Sequence, residues 1–528
     1  MNEPITIADR ALGRTLSLVA AGVIGVVACT LAVKLGDLTT KKLIAVGLAA
    51  LVVTIAGVTR QPRRVFLFTW IVALTYNRQY LSFEAVLGDH GSQGLYWIPA
   101  DLIFAVLLVL WVGEVVVTKR IRRVNVSSLP WWLLPFVVAC ALSTLAADRV
   151  SWSAFEYVRI LKFAFIVLYV RYTFGRVEWW ICVAALGLAV LMQAGLGILQ
   201  VTLNVGAGLR SLLGGMEVDE AVTLQLMGRR QHRAAGTMAH PNFLGPYLLL
   251  LVPMFIALWM TLRHRLMRSI CLGVALVGLA GVACTLSRLP WAVAALEVVA
   301  IMAVLTWRGL IGARRALGLV MLGGLILLVV AMPFAPALQE RVHGDLKEAY
   351  GFRGRYNRAA LQMWSQSPLL GIGLNNFRLH LDRYAPDLEA IQAKGDDTAK
   401  QFGLRSTAPV HNFYLLILCE SGVVGLGAFL VLVVGAVCTG LRAAWRTDGA
   451  WAAACCGLLV GIVGQLLQQT MDFSLWIDPA WYTFALMIAL AGTAPALARE
   501  PAGSTVDAEA MIPIPAAVGL SEDSNRFD

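Results

Sequence analysis

The side chains in this 528-residue chain best placed to do chemistry are a few arginines and one histidine. Arg229, Arg230, His232 and Arg233 crowd a polar stretch just ahead of an apolar run that starts near Phe243. Arg288 stands in Leu286-Ser287-Arg288-Leu289-Pro290, the short joint between two apolar runs. His411 opens the run His411-Asn-Phe-Tyr-Leu-Leu-Ile-Leu-Cys-Glu-Ser-Gly422. A guanidinium keeps its charge in a low dielectric and grips phosphate through paired N–H donors. Two or three of them could hold a lipid-linked pyrophosphate and stabilise the charge that develops as it leaves. An imidazole titrates near neutral pH and could take the proton of a sugar hydroxyl, with Asn412 and Glu420 as the nearest polar groups to orient it. Each has a plainer reading. A basic loop also suits a solvated or lipid-headgroup surface, and a histidine at a helix start also serves as a cap.

The elements that must position these groups are membrane helices. The chain is 59% hydrophobic and only 14% charged, against about 25% charged in soluble proteins, which leaves too few charges to coat several soluble domains. In lipid only helices and closed barrels satisfy their own backbone polar groups. The apolar segments are long continuous runs rather than ten-residue alternating strands, which excludes a barrel. The fold class expected is therefore an all-α polytopic membrane protein. Runs near the roughly 20 residues needed to cross hydrocarbon fall at 15–35, 43–59, 97–117, 131–147, 156–174, 178–203, 243–262, 267–286, 289–306, 315–334, 412–440, 450–471 and 475–497. A weaker run from Val65 to Tyr76, open to extension into Tyr80-Leu81-Ser82-Phe83, makes about 14 transmembrane helices.

Positive charge orients them. Cytoplasmic loops are enriched in Lys and Arg, and with both termini inside, the clusters Arg10/Arg14, Arg60/Arg63/Arg64, Lys119/Arg120/Arg122/Arg123, Arg171/Arg176, Arg263/Arg265/Arg268, Arg308/Arg314/Arg315 and Arg442/Arg446 fall in the cytoplasm. Much of the net charge of +11 is then topological, and nucleic acid is not an expected partner. Arg233 and Arg288 break that rule by lying on the opposite face, and an arginine between two spans demands an anionic partner. That face also carries a helical cap loop at 335–411, inserted in a transmembrane domain of 1–497. In it Arg355 to Gln366 reads as an amphipathic helix ended by Ser367-Pro368, followed by a turn at Gly371–Asn376. Residues 498–528, rich in Pro, Ala and acid, read as a disordered cytoplasmic tail. All nine cysteines lie in apolar runs, with no disulfide or metal spacing.

D-x-D, Walker, H-E-x-x-H and G-x-S-x-G motifs are absent, and the seven histidines have no metal spacing. No metal or cofactor is expected. Glu114, Glu297 and the Gln465/Gln468/Gln469 face keep a multi-span transporter open as a rival reading, since intramembrane ionisable groups can mark ion paths. Against it, the strongest polar clusters lie at one face, whereas transporter sites sit near the midplane.

Five pieces in order resemble the O-antigen ligase and polymerase family of bacterial envelope enzymes. They are Gly197-Ile-Leu-Gln200, Arg233-Ala-Ala-Gly-Thr-Met-Ala-His-Pro-Asn242, Leu286-Ser-Arg288, Gly354-Arg355 with Pro368-Leu-Leu-Gly-Ile-Gly373, and His411-Asn412 through Glu420-Ser-Gly422. The family-like region spans 197–435. The resemblance implies glycosyl transfer at the periplasmic face of the inner membrane, without metal, from an undecaprenyl-pyrophosphate-linked glycan. The acceptor would be a saccharide hydroxyl in a polymerase, lipid A-core in a ligase, or a Ser/Thr side chain in a protein-glycosylating relative. The family's essential residues carry over to Arg233, Arg288 and His411, the candidate catalytic set. Arg355, Asn242, Asn412 and Arg230 are candidate substrate-binding residues, although Arg230 matches no motif position. About fourteen spans, against twelve typical of the ligases, lean toward the polymerase or exopolysaccharide branch. Expected partners are the lipid-linked glycan, its acceptor, membrane lipids and other polysaccharide-assembly proteins.

Overall fold

A computed structural model describes residues 51–76, 80–86, 92–118, 130–203, 223–226, 229–238, 240–331, 346–385 and 410–500. The expected span at 15–35, residues 43–50 of that at 43–59, and the tail from 501 onward lie outside the described residues.

Apolar runs become helices because a helix closes its backbone hydrogen bonds within itself, the condition for burial in lipid. Before the cap these are α1 (Pro62–Ala73), α2 (Pro99–Thr118), α3 (Leu134–Leu145), α4 (Val150–Thr173), α5 (Arg176–Thr202), α6 (Pro241–Thr261), α7 (Arg265–Cys284), α8 (Arg288–Trp307) and α9 (Ala313–Ala331). The cap contributes α10 (Leu346–Gln366) and α11 (Phe377–Tyr384), and α12 (Phe413–Arg446), α13 (Gly449–Gln468) and α14 (Asp478–Leu497) follow. Seven of them, α5–α8 and α12–α14, are long and apolar enough to cross a membrane. Among the described residues two antiparallel hairpins join the helices: β1 (Tyr80–Val86) with β2 (Ser92–Trp97), and β3 (Thr223–Leu226) with β4 (Arg229–His232). Tyr80–Phe83 thus belongs to a strand and does not lengthen α1, which ends at Ala73.

Short joints make successive helices antiparallel, so the chain has two ends. At one end basic side chains meet carbonyls and carboxylates: Arg64 pairs with Glu178 at 3.0 Å, Arg176 donates to the Glu500 carbonyl at 2.7 Å, and Arg308 donates to those of Ala444 and Thr447. The other end carries the joints 285–287 and 469–477 with α10 and α11.

The core is built on α6, apolar on every side and buried along nearly its whole length, as a helix hydrophobic all round must be. It lies against α13, whose Gly457 and Gly461, four residues apart, bring that helix onto the α6 backbone at Met254 and Leu250. Small residues at such spacing allow close packing where no hydrophobic effect drives helices together.

The cap is clipped into a break in α12. At Gly422 the backbone turns left-handed (φ 66°), so Phe413–Arg446 is two helical segments rather than one straight rod. Ile372 and Gly373 donate their N–H groups to the carbonyls of Cys419 (3.1 Å) and Glu420 (2.9 Å), and Val423 donates to that of Pro368 (2.9 Å). The turn 368–373 therefore supplies partners to backbone groups that the break leaves unsatisfied. Above it, α10 buries Tyr356, Ala359, Ala360 and Met363 while Leu361 stays exposed. It is the amphipathic helix expected, laid over protein.

Candidate active site

The loop before α6 has no ladder to satisfy its backbone, so side chains do it. Gln200 at the end of α5 accepts from the N–H groups of Ala235 (3.0 Å) and Gly236 (2.9 Å) and donates to the Gly236 carbonyl (3.0 Å). Gln193, two turns earlier, accepts from Thr237 N–H at 2.9 Å and donates to Thr237 Oγ1 at 2.7 Å. The turn so fixed carries Arg233, only 6% exposed. Its Nε donates to the Thr285 carbonyl at 2.9 Å, and its Nη2 donates to Ser287 Oγ at 2.7 Å and to Asn242 Oδ1 at 3.2 Å. Ser287 Oγ in turn donates to Asn242 Oδ1 at 2.9 Å. One knot thus joins the α5–α6 loop, the start of α6 and the α7–α8 joint. Ser287 commits its hydroxyl to Asn242 and does not cap α8, whose first residue is Arg288. The positive end of that helix dipole lies beside the knot.

A row of rings runs from the knot to His411. Phe243, next to Asn242, meets Phe473 at 5.4 Å; Phe473 meets His411 edge-on at 4.9 Å; His411 lies 5.9 Å from Tyr356 of α10. The backbone ties the same parts, since Phe413 N–H donates to the carbonyls of Gln469 (3.0 Å) and Asp472 (3.1 Å). Asp472 is buried between the two halves. Its Oδ1 accepts from Phe473 N–H at 2.8 Å. Burial pushes its carboxyl up to about 6, against the opposing pull of Arg353 first and Arg233 more weakly. Arg353 of the cap and Arg233 of the bundle thus both favour the ionised form of this one buried carboxyl.

The site therefore unites Arg233, Asn242, the joint that carries Arg288, and His411 at one end of the bundle. Asn412 is the N-cap of α12, its Oδ1 accepting from Leu415 N–H at 3.1 Å. Glu420 Oε1 accepts from Phe377 N–H at 3.3 Å and so holds the start of α11. Arg355 lies on α10, about 200° around the helix from Arg353. The backbone of Arg230 pairs with Gln225 in the β3–β4 hairpin, and its side chain lies outside the described residues. Gln469 donates to Ser474 Oγ (2.8 Å) and accepts from Leu475 N–H (3.1 Å), and Gln465 donates to Ser474 Oγ (3.2 Å). These glutamines shape the α13–α14 joint. Glu297 packs on Gly464 of α13, and its carboxylate has no hydrogen-bond partner among the described residues.

Three residues escape the sequence reading: Asp472, Arg353 and Tyr356. Asp472 had a usable signal, because it is the lone acid in a short joint between two spans, as Arg288 is the lone cation in another. Arg353 and Tyr356 had none beyond their i,i+3 spacing, which puts both on one helix face. Among the described residues no three His, Cys, Asp or Glu side chains gather as metal ligands do.

Residues 273–430 match the family model described as O-Antigen ligase. The match includes Arg288, Arg355, His411 and Asn412 and leaves Arg233, Asn242 and Asp472 outside it. No curated protein matches the chain.

Proposed function

We propose a function from the premise that this membrane protein belongs, through residues 273–430, to the O-antigen ligase family: it transfers a glycan from an undecaprenyl-pyrophosphate carrier to a sugar hydroxyl, at the periplasmic face of the bacterial inner membrane. The observation that supports this most is the meeting of a hydrogen-bonded arginine, a second arginine at a helix start and a histidine at one end of the bundle, opposite the end where the basic clusters gather.

Arg288 and the N-terminus of α8 receive the pyrophosphate. Arg233 holds the joint that presents them and adds its own charge, so fixed cations do the work of a divalent metal. His411 takes the proton of the acceptor hydroxyl. The oxygen attacks the anomeric carbon, the bond from that carbon to the pyrophosphate oxygen breaks, and its electron pair leaves with the carrier. A single displacement inverts the anomeric centre. Asp472 offsets part of the charge of Arg353 and Arg233, and the cap, with Arg355, borders the glycan path. The roughly fourteen spans expected from the sequence favour a polymerase, in which the acceptor is a second lipid-linked repeat. Transfer to lipid A-core is the alternative.

The test is genetic. In cells, Arg288→Ala and His411→Ala should each abolish polymer assembly with the protein still present in the membrane. Wild-type polymer from both variants overturns the mechanism. On a polysaccharide gel of the deletion strain, single repeats without long chains identify a polymerase, and free polymer retained on its carrier identifies a ligase.

A further inference from the structure

Beyond the break at Gly422, the exposed side chains of α12 fall on one face. Val423, Val424, Leu430, Val431, Val434 and Leu441 recur at helical spacing, and the row closes on Arg442 and Trp445 at the basic end of the bundle. Arg442 follows the break by 20 residues. At about 1.5 Å per residue that is about 30 Å, the thickness of the hydrocarbon layer. A stripe of this length, apolar throughout and ended by a cation and an indole, is a lipid-facing surface. The break therefore lies at the edge of the hydrocarbon on the site side.

The cap takes over where this stripe stops. The Leu369 carbonyl accepts from Val424 N–H at 3.3 Å, and Leu369 itself is 66% exposed, so its side chain prolongs the stripe past the break. Trp364 turns its indole back onto the same turn, its Nε1 donating to the Pro368 carbonyl at 3.2 Å. Leu361 is exposed one turn before Trp364, and Arg358 is exposed one turn before Leu361. Outward from the break the order is thus aliphatic, aromatic, aliphatic, cation. That is the order of a segment leaving hydrocarbon through the headgroup layer. The polar Gln362 and Ser365, exposed among these residues, suit the headgroup layer and would not suit the hydrocarbon.

We infer that this rim of the cap, Leu369 with Trp364 and Leu361, is a membrane-docking surface: it rests in the interface of the leaflet at the site end, with Arg358 against the lipid phosphates. The partner is the bilayer surface itself, because the rim continues the lipid-facing stripe of α12 without a gap. The cap then has two supports, the backbone clip at Gly422 and the leaflet. Since α10 also carries Tyr356, whose ring lies 5.9 Å from that of His411, the leaflet helps set the height of the cap over the site. This holds whatever group the protein transfers.

The test is nitroxide labelling of single introduced cysteines in the full-length protein, reconstituted in vesicles of phosphatidylethanolamine and phosphatidylglycerol, with the signal of labelled unsubstituted protein subtracted. Dissolved oxygen concentrates in lipid and a neutral nickel chelate in water, so the ratio of their relaxation effects reads depth. Val431→Cys, in the middle of the stripe, marks lipid, and Arg383→Cys, exposed on α11, marks water. Leu369→Cys should favour oxygen as Val431→Cys does. Leu361→Cys should fall between Leu369→Cys and Arg383→Cys, with the ratio dropping severalfold from 369 to 383. These exposed positions accept a cysteine without disturbing the core, so folding does not confound the reading. A nickel preference at either rim position equal to that of Arg383→Cys places the rim in water and overturns the inference. Poor access of both relaxers to Leu369→Cys would mean that a protein surface, such as a second copy of the chain, covers the rim, and overturns it as well.

Discussion

Asp472 is the residue through which the bundle and the cap feel each other, because its buried carboxylate answers both Arg233 and Arg353. Its carboxyl is raised to about 6, so the anion is present above that pH and lost as pH falls through it. The transfer rate should therefore climb through an acid limb near pH 6. Asp472→Asn should remove this carboxyl's share of that limb, leaving the share of the base His411, and cost about tenfold at neutral pH, since the two arginines lose the buried anion that balances them. A rate profile against pH for the two proteins checks this, and an acid limb unmoved by the substitution would assign it to another group. Arg288 and His411 were legible in the sequence because each breaks a local pattern, a cation or an imidazole where apolar chain surrounds it. The influence of Arg353 on Asp472 was not, because it depends on distance in space and these two are separated by the whole of α12 and α13.

Among the elements, the clip between the 368–373 turn and the break in α12 holds the cap over the site. Gly371 (φ 69°) and Gly422 (φ 66°) face one another across it, and a Cβ on either would strike the opposing backbone at Glu420 or Leu369. Gly422→Ala should destabilise the protein by at least about 2 kcal/mol, from the left-handed backbone and the clash together. It should also loosen the cap, read as a lowered melting temperature and faster proteolysis within 346–385. A melting temperature equal to wild type would show that the break tolerates a side chain. The motif pieces Pro368–Gly373 and Glu420–Gly422 could be read in order along the sequence, as could Gly197–Gln200 and Arg233–Asn242. That each pair is a docked pair was hidden, because backbone-to-backbone contacts leave no hydrophobic period to read.

At the scale of the whole molecule, the basic end and the site end make opposite predictions for access from outside. Thr470 in the α13–α14 joint and Asp448 between α12 and α13 are both exposed. With the site periplasmic, Thr470→Cys should react with a membrane-impermeant maleimide in intact spheroplasts, and Asp448→Cys only after permeabilisation; the reverse pattern would invert the topology. The sequence alone determined the class of molecule and the limits of most helices, because a long run without charge has one low-energy answer in lipid, an internally bonded helix. It also singled out Arg288, a cation in a short joint between two apolar runs, because a charge there is costly. Only the tertiary structure decided that Arg233 is a strut for the joint bearing Arg288, that Asn412 and Glu420 cap helices, and that Asp472, Arg353 and Tyr356 stand at the site. Those roles depend on which helix ends lie side by side, and no single segment contains that information.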